Sequence, residues 1–108
     1  MSKKAIFDQE LAKLREIFAD VEESKRKLVE GLMEDAAFLK AENYVLKELI
    51  DKSGMVKIHP EHPEMQKSLE TSKQYLKNAN TYSVIIKTLN SVLNKNILED
   101  DEDMSEFE

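Results

Sequence analysis

The sequence contains no cysteine and no tryptophan, and only two glycines and two prolines occur among its 108 residues. Because cysteine is absent, disulfides and thiolate metal sites are excluded. Both prolines lie in one short stretch, so the long segments on either side contain none. This distribution favours long helices over a β fold with many turns. The length suits a single domain.

Long apolar runs are also absent. A membrane span needs about 18–20 consecutive apolar residues, and the chain has no such run. The N-terminal stretch MSKKAIFDQELAKL likewise has no apolar run long enough for a signal peptide. We therefore expect a cytoplasmic protein that does not act at a membrane.

Residue patterns typical of catalysis are missing as well. The sequence has no glycine-rich phosphate loop, no ordered Ser–His–Asp set and no cysteine nucleophile. His59 and His62 are each followed by proline, and the chain offers them no further soft ligand, so we do not expect a zinc site. We predict that the chain is not an enzyme and that it uses no cofactor, metal or small-molecule substrate.

Charge is distributed unevenly. Residues 1–97 carry 16 basic and 15 acidic residues, a net charge of +1, whereas residues 98–108 carry seven acids and no base. A block of like charge without apolar periodicity is predicted to be disordered in the free protein. The nearly neutral body lacks the strong basic excess of a typical DNA-binding domain.

What the sequence does contain is helical periodicity, with apolar residues spaced by three and four. It predicts a helical domain over residues 1–97, with a short helix at about 4–18 and two long helices at about 21–52 and 63–96. A break is predicted near Ala19–Asp20, with one continuous helix as the alternative. The predicted fold is all-α: an antiparallel hairpin of the two long helices, preceded by a short helix.

Both long helices carry apolar stripes wider than one antiparallel partner covers, so the hairpin is predicted to oligomerise. The predicted seam of the first long helix runs through Val29, Leu32, Ala36, Leu39, Asn43, Leu46 and Ile50. Within it, Asn43 either fixes the register of an oligomer or bonds to solvent or backbone at a core edge. In the second long helix the predicted seam runs through Ser72, Leu76, Ala79, Ser83, Ile86, Asn90 and Leu93. The residues predicted for the core and for oligomer contacts are Leu32, Leu39, Asn43, Leu46, Ile50, Leu76, Ile86, Leu89 and Leu93.

One compact basic cluster, formed by Lys25, Arg26 and Lys27, lies near the start of the second predicted helix, with Lys13 and Arg15 upstream. Such a cluster is typical of phosphate contacts, whose affinity falls with salt. The alternative is an ordinary solvated helix surface, because acidic residues intervene. These five basic residues are the candidate DNA-binding residues.

The acidic segment 98–108 also contains spaced apolar residues. In such segments the acids speed encounter with a basic partner and the apolar side chains anchor the complex. The segment is either a partner-docking element or a tail that only aids solubility. The residues predicted for docking are Asp100, Asp101, Asp103, Met104 and Phe107.

Three segments together resemble the tailed-phage terminase small subunit: KLVEGLMEDAAFLKAENYVLKELI (27–50), GMVKIHPEHPEMQ (54–66) and YLKNANTYSVIIKTLNSVL (75–93). The resemblance lies in the order of three features. A long helix ends at glycine, a linker with two His–Pro pairs follows, and the next helix has a Tyr-x₄-Lys-x-Leu run. The resemblance covers about residues 10–96.

The resemblance implies a homo-oligomer, such as a ring, that brings double-stranded viral DNA to the large terminase subunit in the host cytoplasm. It implies no catalytic residues. Many family members place a helix-turn-helix domain before the hairpin, and the roughly 20 residues available here are too few for one, so direct sequence-specific DNA recognition is not implied. The alternative is a coiled-coil scaffold or regulatory adaptor with no nucleic-acid role.

Overall fold

The computed structural model describes residues 1–53 and 63–105, and within them the side-chain surroundings of residues 1–52 and 70–95. The described residues form three α-helices and no strand: α1 (Lys3–Ile17), α2 (Glu23–Ser53) and α3 (Pro63–Ser105). The predicted all-α class is therefore confirmed. Within the described ranges, no helix is both long enough and apolar enough to cross a membrane.

Capping determines where α1 begins. The Ser2 hydroxyl accepts a hydrogen bond from the Ala5 N–H at 3.1 Å, which satisfies one of the free donors of the first turn. After Ile17 the chain turns, and the turn residues Phe18 and Val21 are only 2% and 4% exposed. Their burial holds the turn against the core, so the break predicted near Ala19–Asp20 is confirmed.

The start of α2 differs from the sequence expectation by two residues. The sequence predicts a start at about residue 21, but α2 begins at Glu23, which makes Glu22 the preceding residue. The Glu22 carbonyl accepts from the Arg26 N–H at 3.0 Å and its carboxylate from the Ser24 hydroxyl at 2.8 Å. The burial of Val21 moves the helix start past Asp20.

The third helix begins at Pro63, as the sequence predicts, because proline in the first turn loses no hydrogen bond. It continues to Ser105, beyond the expected end near residue 96. Neither glycine nor proline interrupts this stretch, and its leucine, methionine and glutamate residues favour helix. The helix therefore includes residues 98–105, for which composition predicts disorder.

α2 lies in contact with both other helices. Two ion pairs tie α1 to α2, one between Lys3 and Glu42 and one between Arg15 and Glu30. The molecule is elongated, with extents of 72 × 24 × 18 Å and a radius of gyration of 19.0 Å, compared with about 13 Å for a compact domain of this size. The core is therefore thin.

The buried core lies where α1, α2 and α3 meet. Met33 of α2 is its largest fully buried side chain, at 1% exposed. Met33, Ala37 and Ala41 all lie outside the predicted seam of α2, because α1 covers a second face of the helix that one seam does not describe. The buried cluster consists of Leu11, Leu14, Phe18, Val21, Val29, Met33, Ala36, Ala37 and Leu89.

Ser72 of the predicted seam is buried, but beyond it the buried stripe of α3 lies one position earlier than that seam. Asn78 and Leu89 are buried, whereas the predicted seam residues Leu76 and Asn90 are exposed. Two neighbouring rows of apolar residues run along α3, so periodicity alone does not select one of them. Packing against α2 selects the row that contains Leu89.

Candidate functional site

The candidate DNA-binding residues divide between separate surfaces. Arg15, Arg26 and Lys27 meet at one concavity of about 380 Å³ between α1 and α2, which we call the basic concavity. Phe18, Glu23, Glu30 and Met33 complete its lining. Three of the five predicted residues are thus brought together by the fold.

Carboxylates compensate much of the charge at these residues. Arg15 Nε donates to Glu30 Oε1 at 2.9 Å, and this hydrogen bond raises the pKa of Arg15. Lys27 Nζ lies 3.5 Å from Glu23 Oε1. Outside the concavity, Lys13 Nζ lies 2.5 Å from a carboxylate of α1. The spacing of four residues between Glu23 and Lys27 predicts their pair from the sequence, whereas the pair of Arg15 with Glu30 joins two helices and has no such signal.

Lys25 faces a different surface, because neighbouring helix residues point about 100° apart. It lines a concavity of about 280 Å³ with Leu28 and Val29 of α2 and with Val92 and Lys95 of α3. The structure therefore places neither Lys25 nor Lys13 with the basic concavity, although all five basic residues are close in sequence.

A second groove lies between α2 and α3 beside the start of α1. Its volume is about 360 Å³, and we call it the tyrosine groove. Three tyrosines, two lysines and an asparagine share it with small and apolar side chains. Its lining residues are Ile6, Leu39, Lys40, Asn43, Tyr44, Lys47, Tyr75, Ala79, Tyr82 and Ser83. Sequence reasoning missed this groove because three helices contribute to it.

Tyr82 connects all three helices at one end of the tyrosine groove. Its hydroxyl donates to Glu10 Oε2 of α1 at 3.1 Å, and Lys40 Nζ of α2 lies 5.5 Å from the centre of its ring. Burial, with a smaller contribution from the Glu10 carboxylate, raises the pKa of Tyr82 to about 12. Tyr82 is therefore a neutral hydrogen-bond donor throughout the ordinary pH range.

Glu10 is the only acidic side chain that is buried among the described residues, at 5% exposed. Its two oxygens are both engaged: Oε1 lies 2.5 Å from Lys13 Nζ and Oε2 accepts from Tyr82. A buried carboxylate is tolerated when it is paired and hydrogen-bonded in this way. Sequence reasoning missed Glu10, because a glutamate is almost never buried unless it is paired.

The N-terminus lies beside the tyrosine groove. The amino group of Met1 donates to the Tyr44 hydroxyl at 3.2 Å. The negative charge of Glu48 raises the pKa of Tyr44, since it disfavours the phenolate. The start of the chain is thus held next to α2.

Asn43 lies where α2 and α3 approach each other. Its Nδ2 donates to the Tyr75 carbonyl at 3.1 Å, so the amide bonds to backbone. Its Oδ1 is buried and has no hydrogen-bond partner among the described residues. A buried acceptor without a hydrogen-bond donor lowers the stability of a protein by about 1–3 kcal/mol. The groove therefore contains an acceptor that a suitable donor would satisfy.

Several large apolar side chains are exposed on the long helices. Phe38 and Leu49 of α2 are 54% and 49% exposed, and Leu28 is 81% exposed. Phe38 and Leu49 are 11 residues apart, about three helical turns, so they lie on one face. Val45, between them in the same register, is half-buried. We call Phe38, Val45 and Leu49 the outer stripe of α2.

The predicted core and oligomer residues fall into three groups. Ile50 and Leu89 are buried and Leu76 is 53% exposed. The remaining ones are half-buried: Leu32, Leu39, Asn43, Leu46, Ile86 and Leu93.

Two predicted features lie beyond what the structure describes. These are the region of His59 and His62, and the side chains of the docking residues Asp100, Asp101, Asp103, Met104 and Phe107. Within the described ranges no group of three or more histidine or acidic side chains is arranged to hold a metal ion.

Comparison with known proteins reveals no relative of this chain. No family model matches it, and neither a curated protein nor a solved structure is similar to it.

Proposed function

We propose that this protein is a non-enzymatic, self-associating helical adaptor of phage DNA packaging, which links viral DNA to the large terminase subunit. Its resemblance to terminase small subunits over about residues 10–96 supports the packaging role. An antiparallel hairpin of α2 and α3 is part of the proposal. Two contacts support that arrangement, since Asn43 meets Tyr75 while Val29 shares a concavity with Val92.

The main support for self-association is the exposure of the outer stripe of α2. The core is thin, yet Phe38 and Leu49 keep about half of their surface exposed on one helix face. Burying a side chain of this size contributes roughly 1.5–3 kcal/mol. A second copy that covers the stripe would supply that stabilisation.

Light scattering coupled to size-exclusion chromatography tests this step. Full-length protein is expected to be oligomeric, and Phe38→Glu combined with Leu49→Glu should lower the mass without loss of helicity. Asn80→Glu combined with Asn94→Glu adds the same charge at exposed polar positions of α3 and should leave the mass unchanged. A monomeric wild-type protein at micromolar concentration would contradict self-association.

The basic concavity is the proposed DNA contact, and the acidic segment 98–108 is the proposed contact with the large subunit. Arg15, Arg26 and Lys27 line a surface that is wide enough for a phosphate group. Replacing Arg26 and Lys27 by alanine should weaken DNA binding and flatten its salt dependence, and adding Lys25→Ala, which lies outside the concavity, should change the affinity less. Deleting residues 98–108 should weaken binding to the large subunit.

The second candidate function is a coiled-coil scaffold or regulatory adaptor with no nucleic-acid role. The ion pairs of Arg15 with Glu30 and of Lys27 with Glu23 favour it, because they compensate the positive charge of the concavity. The two candidates differ in one measurement. Binding to double-stranded DNA at low salt supports the packaging role, and its absence supports the scaffold.

A further inference from the structure

The tyrosine groove presents two positive charges at a defined spacing. Lys40 and Lys47 line it, and no carboxylate does. Both side chains are exposed, and in the described part of the chain neither lies within salt-bridge distance of a carboxylate. Seven residues of helix separate them, which corresponds to about 10 Å along the axis of α2. This pattern fits a ligand with two negative charges about 10 Å apart.

Apart from the two lysines, the groove lining consists of tyrosine, asparagine and small or apolar side chains. An acidic peptide with spaced apolar residues matches both parts of this lining, because its carboxylates pair with the lysines and its apolar side chains pack on the tyrosines.

This chain itself contains an acidic segment of the required kind. Residues 98–108 carry seven acids and no base, and Met104 and Phe107 lie among them. Along α3, however, Tyr75 and Ser105 are separated by thirty residues, or about 45 Å. The helix carries its own acidic segment away from its own groove, so the segment that reaches the groove belongs to another molecule.

We propose that the tyrosine groove of one protomer binds the acidic segment 98–108 of a second copy. Lys40 and Lys47 pair with carboxylates of the segment. Groove and segment are different surfaces, so every protomer offers both, and the contact generates a ring or a filament. This contact between protomers goes beyond the proposed function, because the groove and the large subunit then compete for the same acidic segment.

Binding of a labelled peptide tests the groove. A fluorescent peptide of residues 97–108 is titrated with full-length protein and followed by anisotropy. Lys40→Glu combined with Lys47→Glu should weaken binding by about tenfold or more, because two attractive charges become repulsive. Lys4→Glu combined with Lys87→Glu makes the same charge change outside the groove and should have an effect of less than about twofold. An equal loss of peptide affinity in both double variants would overturn the proposal.

Two controls keep this result specific. Lys47→Glu alone leaves the Lys40–Tyr82 contact intact and should still weaken peptide binding, with circular dichroism confirming unchanged helicity. A single-stranded oligonucleotide of the same length should not compete for the groove. If the oligonucleotide bound there and the peptide did not, the ligand would be nucleic acid and the proposal would fail.

Cross-linking identifies the molecule that supplies the segment. Full-length protein labelled with ¹⁵N is mixed with unlabelled protein and treated with a carbodiimide that joins amines directly to carboxylates. Mixed-isotope links from Lys40 or Lys47 to residues 98–108 are expected. Links within single molecules only would overturn the role of a second copy. Light scattering on the outer-stripe variants is a separate measurement, so failure of the self-association proposal remains distinguishable from failure of this one.

Discussion

The Tyr82 hydroxyl of α3 donates a hydrogen bond to the buried Glu10 of α1 at 3.1 Å, across 72 positions of sequence. The same tyrosine ring lies below Lys40 of α2, so one side chain contacts all three helices. Because α1 packs chiefly on α2, this bond is a specific tie between α1 and α3. Its removal tests how much the junction of the three helices depends on it.

Tyr82→Phe is expected to lower the free energy of unfolding by about 1–3 kcal/mol, because buried Glu10 loses a hydrogen-bond donor while ring packing is retained. Urea denaturation followed by circular dichroism measures this change. Tyr75→Phe is the matched control, since the structure uses the backbone carbonyl of Tyr75 in its contact with Asn43. An equal loss of unfolding free energy in both variants would show that the Tyr82–Glu10 hydrogen bond contributes no specific stabilisation.

Tyr82 also makes stability depend on pH above about 10. Its pKa rises from 10.0 to about 12 on folding, so between these values the folded protein keeps a proton that the unfolded chain releases. The stabilisation is complete below pH 10 and is lost as the pH rises towards 12. Solvent screening limits it to about 1 kcal/mol, since the side chain is only partly buried.

The expected observation is a smaller alkaline loss of stability in the variant. Between about pH 9 and pH 12 the wild type should lose more free energy of unfolding than Tyr82→Phe, by about 1 kcal/mol. Other groups that titrate in this range contribute equally to both proteins. Parallel pH profiles would contradict the raised pKa of Tyr82.

Truncation of the central core residue should be costly. Met33→Ala is expected to reduce the free energy of unfolding by about 2–5 kcal/mol, because Met33 is only 1% exposed and its removal leaves a cavity. Met33→Leu keeps the volume and should cost less than about 1.5 kcal/mol. Thermal denaturation of the three proteins measures the difference. A cost for alanine as small as that for leucine would mean that the helices collapse around the site.

Gly31 offers a stabilising change. It lies within α2, and an added Cβ would meet no atom within 4 Å among the described residues. Gly31→Ala should therefore stabilise the protein by about 0.5–1 kcal/mol through helix propensity. The reverse change at an exposed position of α1, Ala12→Gly, should destabilise it by a similar amount. A lower melting temperature for Gly31→Ala would indicate a close contact at that face in the oligomer.

The ion pairs of the basic concavity predict a gain of DNA affinity. Glu30→Gln releases Arg15 and removes a negative charge, so binding of double-stranded DNA at low salt should strengthen. Arg26→Ala should weaken binding and reduce the slope of log affinity against log salt by about one, the value for one lost phosphate contact. Titrations at several salt concentrations measure both. If Glu30→Gln left the affinity unchanged, the concavity would not be the DNA contact.

Features that depend on nearby residues follow from the sequence. The absence of proline from two long segments and the spacing of apolar residues predict the α class and the start of α3 at Pro63. A break near Ala19–Asp20 follows from the same local pattern. The acidic composition of residues 98–108 predicts disorder, whereas α3 extends to Ser105, because no residue in that stretch stops a helix.

Contacts between distant residues were decided by the tertiary structure. Leu76 and Leu89 belong to neighbouring apolar rows of α3, and only packing against α2 decides that Leu89 is buried while Leu76 stays exposed. Glu10 is a charged residue that is rarely buried, and its burial depends in part on the hydrogen bond from Tyr82 of another helix. Helical periodicity specifies which side chains share a face, but the direction in which that face points depends on the other helices. The tyrosine groove, which draws residues from all three, therefore arises only when they pack.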